Sequence, residues 1–236
     1  NVTIGLQLHD PALEELLPSQ LNYIQTFFTD WEDELVSGDF ADPVLGYRKF
    51  IDVPSFIDFF LVNEASKNVD GYRISSFFYK ERFSEGNKMV AGPLWDYNIA
   101  WGNSDYCQGG ETYGWEINFN EVCGGGNNPS WWNRLLEDSL YANEVNCRWG
   151  ELRTTLLDTT YLYNYIDSLA LVLAVPAERH YQRWPILGNY VWPNNFIGNT
   201  YRLQFHIQIA LACLAVAQLL ISPIPVDLVH SKIHRW

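Results

Sequence analysis

The sequence predicts a mostly helical α+β fold organised around one β-hairpin, and three observations carry that prediction. Apolar residues recur at helical spacing over residues 9–36, 55–68 and 129–182. Between them, residues 72–80 are rich in aromatic and β-branched side chains, residues 88–94 form a shorter apolar run, and Ser84, Glu85, Gly86 and Asn87 supply a turn. At 236 residues, 47% hydrophobic and 16% aromatic, the chain is long enough for a proper core, as one large domain or two small ones.

Over residues 9–36, Leu13, Leu16, Leu17, Leu21, Ile24, Phe27, Phe28 and Trp31 offer one broad helical face, which Pro18 breaks into a short and a longer helix. The acidic run from Trp31 to Glu34 reads as a solvated helix end. Ser37-Gly38-Asp39 and Asp42-Pro43 mark a loop. Ser55 is the expected cap of the next helix, which carries Phe56, Phe59, Phe60 and Ala65 inward and ends at Asn68. Its last turns hold Asn63 and Glu64. A carboxylate near a helix C-terminus opposes the helix dipole, so Glu64 needs solvent, a basic partner or a task.

The hairpin follows. Paired antiparallel about its turn, Lys80 faces Lys88 and Tyr72 lies near Asp96. Asp70 before the first arm and Asp96 after the second then meet at the open end. Converging carboxylates are costly unless a cation or proton sits between them, and a hard divalent metal with oxygen ligands suits the pair. On an extended segment Asn98 projects to the same side as Asp96, as a second, uncharged ligand. The structural alternatives are an Asx-turn at Asp70 before Gly71, a local cap at Asp96 and a turn asparagine at Asn98.

Residues 104–128 have little periodicity and much Gly, Asn, Tyr and Trp, which reads as a long ordered surface excursion. Cys107 and Cys123 flank much of it and are the expected disulfide pair, with Cys147 as a third candidate and free buried thiols as the alternative. No C-x-x-C spacing suggests a zinc or redox site. Helices are expected over residues 129–149, capped by Ser130, with Trp131, Trp132, Leu135 and Leu136 inward and Arg134, Glu137 and Asp138 facing water. Others follow over residues 148–158 and 161–182, the last with an Ile166, Leu169, Val172, Leu173 stripe and a Pro176 kink. Residues 179–184 form a basic cluster suited to a phosphate or to local carboxylates. Residues 207–221 are almost continuously apolar, short of the roughly 20 a membrane span needs, so a buried helix is expected there rather than an anchor.

A formal charge of −13 and a pI near 4.7, with no basic run, exclude nucleic acid as a natural partner. The chain begins at Asn1 without an initiator Met or a visible signal peptide, so its N-terminus reads as cut.

The segments NVDGYRISSFFYK, KMVAGPLWDYNIAWGNSDYC, WWNRLLED, CRWGELR and RWPILGNYVWPNNFIGNTY, spread over residues 53–201, resemble the CotH kinase family, named for a spore-coat protein and found in many secreted bacterial proteins. The resemblance implies the large, C-terminal lobe of a highly diverged protein-kinase fold carrying a catalytic hairpin. It implies ATP with Mg²⁺ or Mn²⁺ as cofactors and a protein substrate with serine or threonine hydroxyls. It places the essential acids at Asp70 and Asp96: Asp96 as metal ligand, Asp70 as the catalytic-loop acid or a second ligand, with Asn68, Glu64 and Asn63 as polar neighbours of the nucleotide site. Relatives carry Asp-x-Asp where this chain has Asp96-Tyr97-Asn98. No Gly-rich loop or strand lysine precedes Ser37, so residues 1–200 read as the C-terminal portion of the domain, with little activity expected of it alone. Residues 201–236 read as an atypical apolar tail. A secreted or cell-surface location follows from the resemblance and the Cys107–Cys123 pairing. The alternative is a non-catalytic surface module, binding polysaccharide through residues 101–132 and structural calcium through the paired aspartates.

Overall fold

The computed structural model describes residues 5–125, 128–194 and 197–198. The elements run α1 (Pro18–Val36), α2 (Val53–Ser66), β1 (Phe78–Lys80), β2 (Met89–Ala91), α3 (Phe119–Val122), α4 (Trp131–Leu136), α5 (Ser139–Arg153) and α6 (Thr159–Arg183), with short 3-10 turns between them. The fold is therefore α+β and mostly helical, with one two-stranded sheet among the described residues. The expected helix over residues 207–221 lies outside them. No described helix is long and apolar enough to cross a membrane.

The core is built on α2. Asp52, not Ser55, caps it by accepting the Ser55 amide at 3.0 Å, and Pro54 occupies the first turn, where a missing N–H costs nothing. Phe56, Phe59 and Phe60 are buried as expected. The Phe59 ring stacks on Trp132 at 5.5 Å, Phe56 meets Trp31 and Trp132, and Phe60 stacks on Trp115. Trp31 and Trp131 then close α1 against α4 at 4.6 Å.

The apolar face expected for residues 9–36 is used only at its C-terminal end, where Phe27, Trp31 and Leu35 are buried, while Leu13 and Leu17 remain exposed. The acidic end is not simply solvated: Glu32 accepts from the Trp131 indole at 3.0 Å, and Glu34 pairs with Lys49 at 2.9 Å. Asp138 is also a correction. It is buried, caps α5 through the Leu140 amide and accepts from the Tyr47 hydroxyl at 2.7 Å, breaking the expected 129–149 helix in two. Arg134 packs 3.4 Å over the Phe40 ring and donates to the Leu35 carbonyl. The Leu169, Val172 and Leu173 stripe of α6 is exposed among the described residues, and the helix passes through Pro176 without ending.

The hairpin forms, but shorter and in a different register. The pairs are Phe78 with Ala91, Tyr79 with Val90 and Lys80 with Met89, so Lys80 does not face Lys88. A one-residue slip reverses every side chain, and the observed register sends Met89 into the core. Met89 also exchanges backbone bonds with Phe50 and Asp52, which stitches β2 to the start of α2. Residues 70–76 are a compact turn rather than strand, because the Asp70 carbonyl accepts from the amides of Arg73, Ile74 and Ser75. Tyr72 is thereby buried instead of paired.

Trp132 contacts Phe56, Phe59 and Tyr72 at ring separations of 5.1–5.5 Å. Trp132→Ala is expected to lower unfolding free energy by about 3–5 kcal/mol in urea titrations.

Candidate functional site

The site grows from the C-terminus of α2. Lys67 ends the helix in a left-handed conformation, φ 54°, and the chain reverses through Asn68, whose Oδ1 accepts the Asp70 amide at 3.3 Å. The Asx-type bond that sequence reasoning allowed for Asp70 is thus made by Asn68. Asn63 then joins the two feet of the hairpin. The Gly71 backbone lies so close that a Cβ there would sit 2.0 Å from Asn63 Oδ1, and the Tyr97 hydroxyl donates to that same oxygen at 2.9 Å. Gly71 follows Asp70 and Tyr97 follows Asp96, so both acid-bearing segments touch one buried amide.

The two acids are held differently. Asp70 is half-buried; its Oδ1 accepts from Arg73 Nη2 and, at 3.4 Å, from the Tyr106 hydroxyl. Its Oδ2 makes no hydrogen bond among the described residues. Asp96 is exposed, without a hydrogen bond or ion pair among the described residues, and sits at φ 59°. That left-handed conformation corrects the extended segment expected from Asp96 to Asn98. Asn98 lies in a turn, exposed, with its carbonyl accepting from Asn103 at 2.9 Å. Lys67, Asp96, Trp101, Cys107 and Gln108 all have positive φ in this neighbourhood. Such conformations cost energy for residues with a Cβ, most of all for a bulky one such as Trp101, and they collect where geometry is being imposed.

Glu64 is buried and accepts three hydrogen bonds: from the Tyr72 hydroxyl at 2.9 Å, the Glu116 amide at 2.9 Å and the Ile117 amide at 3.0 Å. The unfavourable dipole position is thus met by amide donors. Burial, and then the nearby Glu116 carboxylate, push its carboxyl up to about 7. Burial likewise raises Glu116, which Lys67 Nζ contacts at 3.0 Å, and burial and Glu64 raise the Tyr72 hydroxyl, keeping it a donor. Burial pushes the Tyr97 hydroxyl up to about 12, against the opposing influence of the Asn68 and Asn63 amides. Asn68 Nδ2, two residues before Asp70, is buried and makes no hydrogen bond among the described residues.

Residues 104–128 are less superficial than expected. Glu116, Ile117 and Phe119 are buried, and Cys107 is disulfide-bonded to Cys123 with a Cα–Cα distance of 5.1 Å, leaving Cys147 free and exposed. The basic cluster near His180 packs on its own aromatics, Tyr181 and Trp184. No group of three or more His, Cys, Asp or Glu side chains is arranged to hold a metal among the described residues. A cavity of about 500 Å³ opens between α2 and α5, lined chiefly by apolar side chains such as Phe59, Val62, Leu94 and Leu152, and neither Asp70 nor Asp96 lines it.

A family model described as CotH kinase protein matches residues 6–209. The chain belongs to the CotH kinase family. No curated protein and no solved structure matches it. Membership supports a coarse reading as a kinase-like transferase, and the CotH match takes in α1 as well as the hairpin. Sequence reasoning singled out Asp70, Asp96, Asn63, Glu64 and Asn68; their contacts with Arg73, Tyr97, Tyr106, Glu116 and Lys67 come from the structure alone. Arg73 carried a signal, three residues after an acid, but a strand over residues 72–80 would have sent it elsewhere. Tyr106 and Glu116 reach the site only through the long excursion.

The raised Glu64 carboxyl fixes the sign of a pH effect. Its ordinary value is 4.5. The folded state holds the proton more tightly, so this contribution to stability is complete below about 4.5 and is lost as pH rises through about 7. The unfolding free energy from denaturant titrations is expected to fall between pH 5 and 8 by an amount on the order of 3 kcal/mol, and Glu64→Gln is expected to flatten that slope. Gly71→Ala, forced against Asn63, is expected to destabilise by about 2 kcal/mol or more, read as a lower melting temperature.

Proposed function

We propose that this CotH kinase chain belongs to a metal-dependent phosphotransferase that moves the γ-phosphoryl group of ATP to a serine or threonine hydroxyl of a protein substrate. Within a kinase family, the observation that carries the proposal is the attachment of both acid-bearing segments to Asn63. Asp70 has one oxygen anchored and one unengaged, which suits a carboxylate that orients an acceptor hydroxyl and takes its proton as the oxygen attacks γ-phosphorus and the bond to ADP breaks.

The donor set fits a hard divalent cation. Asp96, Asp70 and Asn98 offer only oxygen atoms, and Mg²⁺ or Mn²⁺ is commonly held by one or two carboxylates together with substrate phosphates and water. Asp96 would hold the ion, with Asn98 as an uncharged ligand, while Asp70, gripped at one oxygen, would keep the other for the acceptor hydroxyl. A divalent ion held there would neutralise charge on the transferring phosphates. The orphaned Asn68 Nδ2 is a donor for the nucleotide side of the site. Glu64, with its oxygens taken by protein donors, serves as a fixed wall rather than a contact. The disulfide supports a secreted or cell-surface setting. The sugar-binding alternative loses part of its surface, because Trp131 and Trp132 are buried in the core.

The test is γ-phosphoryl transfer by the full-length protein to a serine-containing peptide library, with calorimetry of ATP and Mn²⁺ binding. Asp70→Asn is expected to lower turnover by about 10²–10³-fold with binding nearly unchanged. Asp96→Asn is expected to weaken Mn²⁺–ATP binding at least about tenfold. Absence of nucleotide heat, with stabilisation by Ca²⁺ alone, would overturn the reading.

A further inference from the structure

The partners of Asp70 come from two places, and one covalent bond ties both to the same loop. Arg73 lies one turn beyond Asp70. Its Nη2 donates to Asp70 Oδ1, its Nε donates to the Val69 carbonyl at 3.2 Å, and its guanidinium lies 4.6 Å from the centre of the Phe119 ring. Tyr106 comes from the excursion and donates to the same Oδ1 at 3.4 Å. Tyr106 precedes Cys107, Phe119 lies one helical turn before Cys123, and the two cysteines are bonded.

Beneath this arrangement is a small apolar cluster separate from the main core. Val69, Ile99 and Phe119 are buried together, with Tyr106, Cys107 and Cys123 packed against them. Gly109 lets the excursion close on Val69, since a Cβ there would lie 2.6 Å from the Val69 side chain and 2.8 Å from Ser104. The residue preceding Asp70, the ring beneath Arg73 and the hydroxyl that reaches Asp70 thus share one support.

We infer that Arg73 and Tyr106 are positioning residues that clamp one oxygen of Asp70 and leave the other for the acceptor hydroxyl, and that the Cys107–Cys123 loop is the element that sets the clamp. The inference rests on the proposed role of Asp70 in phosphoryl transfer. A guanidinium is suited to this place because it can stack on a ring while donating in its own plane to two acceptors; an ammonium cannot do both. Reactions that depend on placement lose about 10²-fold for displacements near 1 Å, so a clamp of this kind is read in turnover.

The experiment compares Arg73→Lys, Tyr106→Phe and the double variant Cys107→Ser/Cys123→Ser with Asp70→Asn in the full-length protein, using ATP, Mn²⁺ and the peptide library. Arg73→Lys and the double serine variant are each expected to lower kcat at least about tenfold, with the KM for ATP within about twofold of wild type. Tyr106→Phe is expected to lower kcat less, in keeping with its longer contact. A phosphine reductant should reproduce the kcat loss in the wild type and add nothing in the double variant. A merely structural role would instead lower melting temperature and weaken nucleotide binding together. Should the double variant fail to fold, Arg73→Lys and Tyr106→Phe decide the matter. Wild-type kcat in Arg73→Lys and in the reduced protein, with Asp70→Asn inactive, overturns the clamp alone. Full turnover by Asp70→Asn overturns the role of Asp70 and the clamp with it.

Discussion

Two adjacent polar residues, Asn63 and Glu64, are buried where α2 ends, and the surrounding loops take their positions from them. Successive residues on a helix point about 100° apart, so the two side chains serve different neighbours. Asn63 meets the Gly71 backbone and the Tyr97 hydroxyl, while its Nδ2 is satisfied by the Phe59 carbonyl at 2.9 Å. Glu64 meets Tyr72 and the amides that open the 3-10 turn at residues 116–118. A buried polar group is costly unless its hydrogen bonds are made, and here they are. An apolar residue could fill the same volume, but it could not specify which backbone amide comes to rest against the helix.

That specification matters because little regular structure stands near Asp70 and Asp96. Three segments converge on the end of α2, over residues 68–76, 92–98 and 104–128, and among its described residues the last holds only a short 3-10 turn and the single-turn α3. Segments of this kind are ordinarily the least stable parts of a fold. Here they are tied by the Glu64 bonds, by the Lys67–Glu116 pair, by the disulfide and by reciprocal bonds between Asn120 and Asn128. The main core below α2 supplies rigidity, and the Val69, Ile99 and Phe119 cluster carries it to the turn that holds Asp70.

Helices α1, α2 and α6, the α2 core residues and the cysteine pairing were legible in the sequence because each depends on local spacing or on a loop with few other constraints. The hairpin was legible in kind but not in register. Arms taken to end at Lys80 and to resume at Lys88 put those two residues opposite each other, whereas the connection contains a 3-10 turn at Phe83–Glu85 followed by Gly86 and Asn87 at positive φ. What selects the observed register is the demand to bury Met89, which also pairs with Ile51, a contact that no local pattern announces. The same limitation hid Asp138 and Glu116. Both look like surface acids in sequence, and both are buried because distant partners, Tyr47 and Lys67, reach them. The apolar face of α1 shows the converse, since periodicity marks which side chains can be buried but not how far along a helix a neighbour extends.

The contrast between the two acids is itself informative. Asp70 is aimed by side chains that grip one oxygen, and its backbone sits in a compact turn. Asp96 has no such grip among the described residues, and its direction is set by a left-handed backbone conformation that few residues other than glycine, asparagine and aspartate adopt. A carboxylate that must meet a hydroxyl at one point in space gains from being clamped beforehand, because the acceptor brings no ordering of its own. A carboxylate that meets a divalent ion needs only to be presented, because coordination supplies both the attraction and the orientation. The different ways in which this fold holds Asp70 and Asp96 therefore follow the division of labour proposed for them.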